Sequence, residues 1–144
     1  MARTVVPWIE VNTDTAVVLV GASGAQVSGS PANGHYCAND GAVWLLVQNT
    51  VAAPAILYIE PAGSSATVAP STTPGHWTLP VVGVPGAGQV LTNLAAFTIL
   101  ASGTVMLGPF APNSWNNAST LWFSVDQTYG ANLRIQALHM IDMK

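Results

Sequence analysis

The sequence predicts an all-β fold, built as a single antiparallel β-sandwich or jelly-roll-like domain over residues 1–144. Short apolar or alternating segments recur at fairly even spacing, and turns rich in Gly, Pro and Asn separate them. No segment shows the 3.6-residue periodicity of an amphipathic helix. The chain length of 144 residues suits one domain. We expect about eight or nine short strands and one long Pro- and Gly-rich loop.

The stretch NGHYCANDGAVWLLVQN, residues 33–49, predicts the central hairpin. Its turn, Asn39-Asp40-Gly41, contains residue types that tolerate positive φ, so the chain can reverse there. The apolar run 43–47 follows as a strand. We expect the strands on either side of this turn to pair with each other, and Trp44 to lie in the core.

The remaining elements follow from the same patterns. Residues 1–12 predict an edge strand or an extended arm, because Pro7 cannot donate to a central ladder. In 120–125 and 133–137 apolar and polar side chains alternate, which indicates strands with one buried face. Further strands are predicted over 15–20, 55–60 and 104–107. Residues 95–101 predict a strand or a short buried helix, and flanking β-branched residues favour the strand.

Residues 61–93 contain five prolines and five glycines and predict a long loop. A loop of that length in a compact domain is usually functional or disordered. Its apolar side chains are unusual for a free loop, so we expect it to pack on a partner. The predicted protein interface combines four apolar residues of this loop with two tryptophans outside the loop. These residues are Trp77, Leu79, Val81, Val82, Trp115 and Trp122.

The chain is 50% apolar but only 6% charged, against about 25% charged residues in an ordinary soluble domain. Charge keeps isolated proteins soluble, so we expect other protein to cover much of this surface. The expected partners include further copies of the chain, with a trimer as the expected assembly.

The distribution of charge argues against other partners. The net charge is −3 and the basic residues do not cluster, so the pattern of a nucleic-acid binder is missing. No run of about 18 apolar residues predicts a membrane span, and no secretory signal is evident. Cys37 is the only cysteine, which indicates synthesis in a reducing cytoplasm.

Candidate catalytic and metal-binding groups are few. His35 and Cys37 share one face of a predicted strand, but a nucleophilic pair also needs an orienting group, and Asp40 is the only acid nearby. A zinc site from His35, Cys37, His76 and His139 would join distant segments without a recognised ligand spacing. We therefore expect a buried, inert cysteine, no catalytic centre, no metal and no cofactor.

Tryptophan permits a second interpretation of the surface. An exposed Trp on a β-sandwich can stack on sugars, so Trp77, Trp115 and Trp122 could serve a carbohydrate-binding module. Trp is also a common anchor at protein interfaces. The scarcity of charge near these residues favours the protein interface.

Four pieces of the sequence between residue 33 and the C-terminus resemble a family of small tailed-bacteriophage virion proteins. They are the turn NGHYCANDG, the strand WLLVQN, Gly108-Pro109-Phe110 with its Asn-containing loop, and the closing strand ANLRIQAL. Residues 61–93 depart from the family pattern, being longer and richer in proline.

The resemblance implies a capsid decoration, or cement, protein with a β-sandwich fold and no enzymatic activity. It implies the major capsid protein as partner and a place on the capsid surface after synthesis in the host cytoplasm. Two alternatives remain open: a carbohydrate-binding head-fibre or adsorption module, and a structural protein of the tail or neck.

Overall fold

The computed structural model describes residues 3–11, 26–31, 33–60, 62, 69–70, 77–78 and 95–140. Strands dominate these residues, so the all-β prediction is confirmed, and eight strands have four or more residues. The strands are β1 (Thr4–Val5), β2 (Trp8–Val11), β3 (Val27–Ser28), β4 (His35–Ala38), β5 (Val43–Asn49), β6 (Ala55–Ile59), β7 (Ala69–Pro70), β8 (Trp77–Thr78), β9 (Ala95–Ile99), β10 (Thr104–Leu107), β11 (Asn116–Asn117), β12 (Thr120–Val125) and β13 (Leu133–Met140). One helical turn, α1 (Pro112–Trp115), and one 3-10 turn, Gly130–Asn132, accompany them.

The strands form two mixed sheets and a separate two-stranded pair. The first sheet has the order β1-β4-β12-β6-β9, with β11 also beside β12; the second has the order β10-β5-β13-β2, with β3 also beside β13. The prediction of purely antiparallel sheets is wrong at two pairings, because β1 runs parallel to β4 and β2 runs parallel to β13. Parallel neighbours need a long connection, and here Thr4 pairs with His35 and Trp8 with Ala137.

The predicted central hairpin is a connection between sheets. β4 lies in the first sheet and β5 in the second, so they do not pair with each other. The turn itself is as expected: Gly41 has a φ of +102°, and Asn39 Oδ1 accepts a hydrogen bond from its amide at 3.1 Å. The pairing prediction is wrong because successive strands of this chain mostly alternate between sheets, as β1 and β2, β5 and β6, and β12 and β13 also do.

Buried side chains from both sheets form one hydrophobic core. It takes alternate residues from three long strands: Val43, Leu45 and Val47 on β5, Leu121, Phe123 and Val125 on β12, and Leu133, Ile135 and Ala137 on β13. The alternation predicted for β12 and β13 is thus confirmed. The prediction for Trp44 is wrong: it is only half-buried, because it lies on the opposite face of β5 from Val43 and Leu45.

Among the described strands, those of the N-terminal arm, residues 3–11, lie at one end of each sheet. β1 ends the first sheet and β2 ends the second. Val6 between them is 1% exposed and belongs to the core, whereas Pro7 is exposed. The chain can leave one ladder for the other here because Pro7 has no amide hydrogen to donate.

Three of the other predicted strands are present, and two predicted segments lie largely outside the described residues. The predicted strands over 55–60, 95–101 and 104–107 correspond to β6, β9 and β10. The predicted strand over 15–20 and most of residues 61–93 lie outside the described residues. Within 61–93, β7 and β8 pair antiparallel, with Ala69 opposite Thr78.

Candidate binding groove between the sheet edges

An open groove of about 280 Å³ lies where the arm passes from one sheet to the other. Hereafter the arm groove, it is lined by Val5, Val6, Pro7, Trp8 and Ala38. Val5 is 52% and Trp8 is 37% exposed, so an apolar side chain faces solvent on either side of the Val6-Pro7 pair. Free energy would be gained by covering them with apolar surface.

Trp8 is held in place by His139 and Asp40. The rings of Trp8 and His139 stack with centroids 4.3 Å apart and an interplanar angle of 18°. The imidazole Nε2 of His139 lies 2.8 Å from Oδ2 of Asp40. Strand β2, strand β13 and the connection after β4 therefore converge at one side of the arm groove.

The polar groups beside Trp8 are acidic. Glu10 is exposed, pairs in register with His139, and lies on the same face of β2 as Trp8 because it is two residues further along. Asp40 is exposed as well. The hydrogen bond from the Ala42 amide, together with the hydrogen bond and charge of His139, holds the pKa of Asp40 below its ordinary value.

His139, when protonated, offsets part of this charge at Asp40, but the two arginines of the described residues do not. Arg3 is buried and paired with Glu60. Arg134 contacts the carbonyl oxygens of Ala131 and Leu133 at the opposite end of β13 from His139. The exposed charges beside the arm groove are therefore carboxylates, with His139 between them.

The Asp40–His139 pair resembles part of a catalytic dyad, but its geometry does not suit proton transfer to a ligand. His139 Nε2 is directed at Asp40, and His139 Nδ1 is buried without a hydrogen-bond partner among the described residues. A general base must reach the proton that it abstracts. His139 is not among the residues that line the arm groove, and its ring packs on Trp8.

His35 and Cys37 share the inward face of β4, as predicted, and both are fully buried. Burial raises the pKa of the Cys37 thiol to about 12, which makes the thiol a poor nucleophile. Burial also lowers the pKa of His35, whose ring stacks on Phe123. Among the described residues, no group of three or more His, Cys, Asp or Glu side chains could hold a metal ion. His76 lies outside them.

Of the six residues predicted to form an interface, the structure describes the side chains of two. Trp115 is half-buried and packs edge-to-face on Phe110, with centroids 6.3 Å apart. Trp122 is half-buried beneath Arg3, whose Cζ lies 4.5 Å from its ring centroid. The side chain of Trp77, and Leu79, Val81 and Val82 entirely, lie outside the described residues.

The sequence analysis did not identify the arm groove. Pro7 followed by Trp8 in a predicted edge segment could have indicated an exposed tryptophan here, because a residue at a sheet edge has solvent on one side. The contacts of Asp40 and Trp8 with His139 depend on the parallel register of β2 and β13, which no local pattern indicates. In the described ranges, the remaining exposed large apolar side chains do not line the groove; they are Leu100, Met106 and Tyr129.

Comparisons of the chain with protein-family models, with curated proteins and with solved structures each return no match. Within the part of the chain that the structure describes, no helix is long and apolar enough to cross a membrane.

Proposed function

We propose that this protein is a structural component of a phage virion, of the capsid decoration or cement type. It binds the outer surface of the head and stabilises the capsid lattice. The observation that carries the proposal is a chain with very little charge, 6% of its residues, together with an exposed apolar groove beside Trp8. Such a surface suits a protein that works against other proteins.

The stabilising effect follows from mass action. A protein that binds the assembled lattice and not the free subunits shifts the equilibrium towards the assembled state. A homo-oligomer, with a trimer suited to the local three-fold positions of a capsid, would bridge several subunits at once. The major capsid protein is the partner in this proposal.

This proposal has two candidate docking surfaces. The first is the arm groove. The second is the predicted interface of Trp77, Leu79, Val81 and Val82 in residues 61–93, which stays a prediction. Trp115 and Trp122 are half-buried against the domain itself and contribute less free surface than their positions in the sequence suggest.

The test is a count of copies in purified virions of the phage that encodes the chain. Quantitative mass spectrometry should find the protein in fixed proportion to the major capsid protein. Heads stripped of it should rupture at a lower temperature, and re-addition of the purified protein should restore the original value. A handful of copies per particle would instead assign it to the tail or neck, and its absence from virions would refute a virion role.

A sugar-binding role is the second candidate, and the observation that favours it is Trp8. Its indole is partly exposed beside the Asp40 carboxylate, and an aromatic ring with an adjacent hydrogen-bond acceptor is a combination that can hold a sugar. His139 covers one face of the indole, which reduces the area open to stacking. Binding on a glycan array that Trp8→Ala abolishes would favour this candidate over the decoration protein.

A further inference from the structure

We propose that the arm groove docks an extended segment of another protein that presents an aliphatic side chain flanked by lysine or arginine. This inference rests on the proposed function, in which the segment belongs to the capsid lattice. The aliphatic side chain enters between Val5, Pro7 and Trp8, and the cationic side chains reach Glu10 and Asp40.

The size and lining of the groove indicate an aliphatic side chain. At about 280 Å³ it is slightly smaller than the roughly 300–1,000 Å³ of pockets that enclose drug-sized ligands. Its lining is mainly apolar, from Val5, Val6, Pro7, Trp8 and Ala38. A polar ligand would lose hydrogen bonds to water there, whereas an aliphatic side chain gains from burial.

The charge beside Trp8 selects the flanking residues. Glu10 and the Asp40–His139 pair lie on one side of the indole, and both carboxylates are exposed. A segment carrying Lys or Arg is attracted, and one carrying Asp or Glu is repelled. Because these groups are exposed, added salt must weaken the attraction.

The same charges make a second copy of the chain a poor occupant. The chain carries a net charge of −3 with three basic residues in total, and Arg3 is already engaged with Glu60. A second copy therefore has few basic side chains to offer to the carboxylates beside this groove. A basic segment from a different protein satisfies the groove better.

The site is organised before the partner arrives. Stacking on His139 fixes the indole of Trp8, and the buried Arg3–Glu60 ion pair fixes the start of the arm. Little side-chain freedom is then lost on binding, which favours affinity.

The experiment uses the full chain labelled with ¹⁵N and two end-blocked hexapeptides, GKVLKG and GEVLEG. NMR follows the indole N–H signal of Trp8, assigned by its disappearance in Trp8→Phe. The basic peptide should shift this signal in a saturable way at low salt, and the dissociation constant should rise several-fold on adding about 0.3 M NaCl. Equal binding of the acidic peptide, or no shift with the basic one, overturns the proposal.

Variants separate the two parts of the site. Trp8→Ala should weaken the basic peptide at least about tenfold, as loss of a buried aromatic anchor does. Glu10→Gln should weaken it about two- to fivefold, the range for one exposed ion pair. Met106→Ala, which removes an exposed apolar side chain away from the groove, should leave binding unchanged. A concentration-dependent shift of the Trp8 signal without peptide would assign the groove to self-association and overturn the proposal.

Failure of this inference can be told apart from failure of the proposed function. Wild-type protein and Trp8→Ala are each sedimented with stripped phage heads. Heads that bind both equally leave the decoration role standing and overturn the groove as its docking surface. Heads that bind neither refute the decoration role, while the peptide measurement still decides what the groove accepts.

Discussion

Arg3 and Glu60 form a buried ion pair although they lie 57 positions apart in the chain. Arg3 Nη2 is 2.9 Å from both carboxylate oxygens of Glu60, and Ser124 Oγ donates to one of them at 2.8 Å. The guanidinium also lies over Trp122. The arm is thereby tied to the end of β6 and to β12, beyond its backbone pairing with β4.

Breaking this pair from one side should be costly. Arg3→Met leaves the Glu60 carboxylate, whose side chain is 0% exposed, without its cation, and loss of one partner of a buried pair costs about 3–5 kcal/mol. We expect the free energy of unfolding, measured by urea denaturation, to fall by about 3 kcal/mol. Arg134→Met, which removes a more exposed guanidinium at the end of β13, serves as the control and should cost much less.

A double variant tests whether the loss in the free energy of unfolding comes from the buried, unpaired Glu60 carboxylate. Arg3→Met with Glu60→Leu removes both charges and should recover part of the loss, because a buried pair often contributes little relative to apolar residues of similar size. A double variant as unstable as the sum of the two single variants would mean that the charges act independently.

The buried His35 should make stability depend on pH. Burial is the main cause of its lowered pKa, with the charge of Arg3 adding to it and the hydrogen bond to the Ser28 carbonyl opposing it. His35 Nε2 lies between a donor and an acceptor, the Ser30 amide at 3.1 Å and the Ser28 carbonyl oxygen at 3.2 Å. The folded state therefore keeps the ring neutral at a pH where the unfolded chain already binds a proton.

The sign follows from that difference. Below the unfolded pKa of about 6.5 the unfolded state takes up a proton that the folded state does not, so stability falls as the pH falls, by at most about 1.4 kcal/mol per pH unit. Above that pKa both states leave His35 neutral, so its ionisation no longer changes the free energy of unfolding. Urea titrations between about pH 7.5 and pH 5 should show a shallower slope for His35→Gln than for the wild type. Equal slopes would mean that His35 titrates normally in the fold.

Alternation along a strand made the all-β class and the buried faces of β12 and β13 predictable. Leu121, Phe123 and Leu133 could be assigned inward from local sequence alone, because a strand places successive side chains on opposite faces. The position of Pro7 likewise predicted an edge. These inferences need only the residues within one element.

Pairing between distant segments was not predictable in the same way. The turn at Asn39-Asp40-Gly41 has the residues of a hairpin, and it also satisfies a connection between sheets, because both need a positive φ and a compact reversal. Choosing between them requires knowing that Cys37 pairs with Leu121 rather than with β5. The Trp8–His139 contact was unpredictable for the same reason, because it depends on the parallel pairing of β2 with β13.

Gly41 supplies the next prediction. Its φ of +102° is a conformation that β-branched residues rarely adopt, and an added Cβ would meet Pro112 Cδ at 3.3 Å. Gly41→Val should lower the free energy of unfolding by about 1 kcal/mol or more. Gly41→Asn is the matched control and should cost less, because Asn tolerates positive φ better. Thermal melting of Gly41→Val at the wild-type temperature would show that the backbone relaxes freely at this turn.

Cys37 should be unreactive in the folded protein, and as the only thiol of the chain it gives an unambiguous signal. The side chain is 0% exposed, and burial raises its pKa to about 12, so at pH 8 only about one thiol in ten thousand is ionised even before access is considered. Labelling with a disulfide reagent should be slow in buffer and should reach the rate of a free thiol only in denaturing urea. The control is Cys37→Ala with Thr128→Cys, which places a thiol in an exposed turn and should label rapidly. Rapid labelling of the native wild type would show that β4 opens readily, and would contradict its place inside the first sheet.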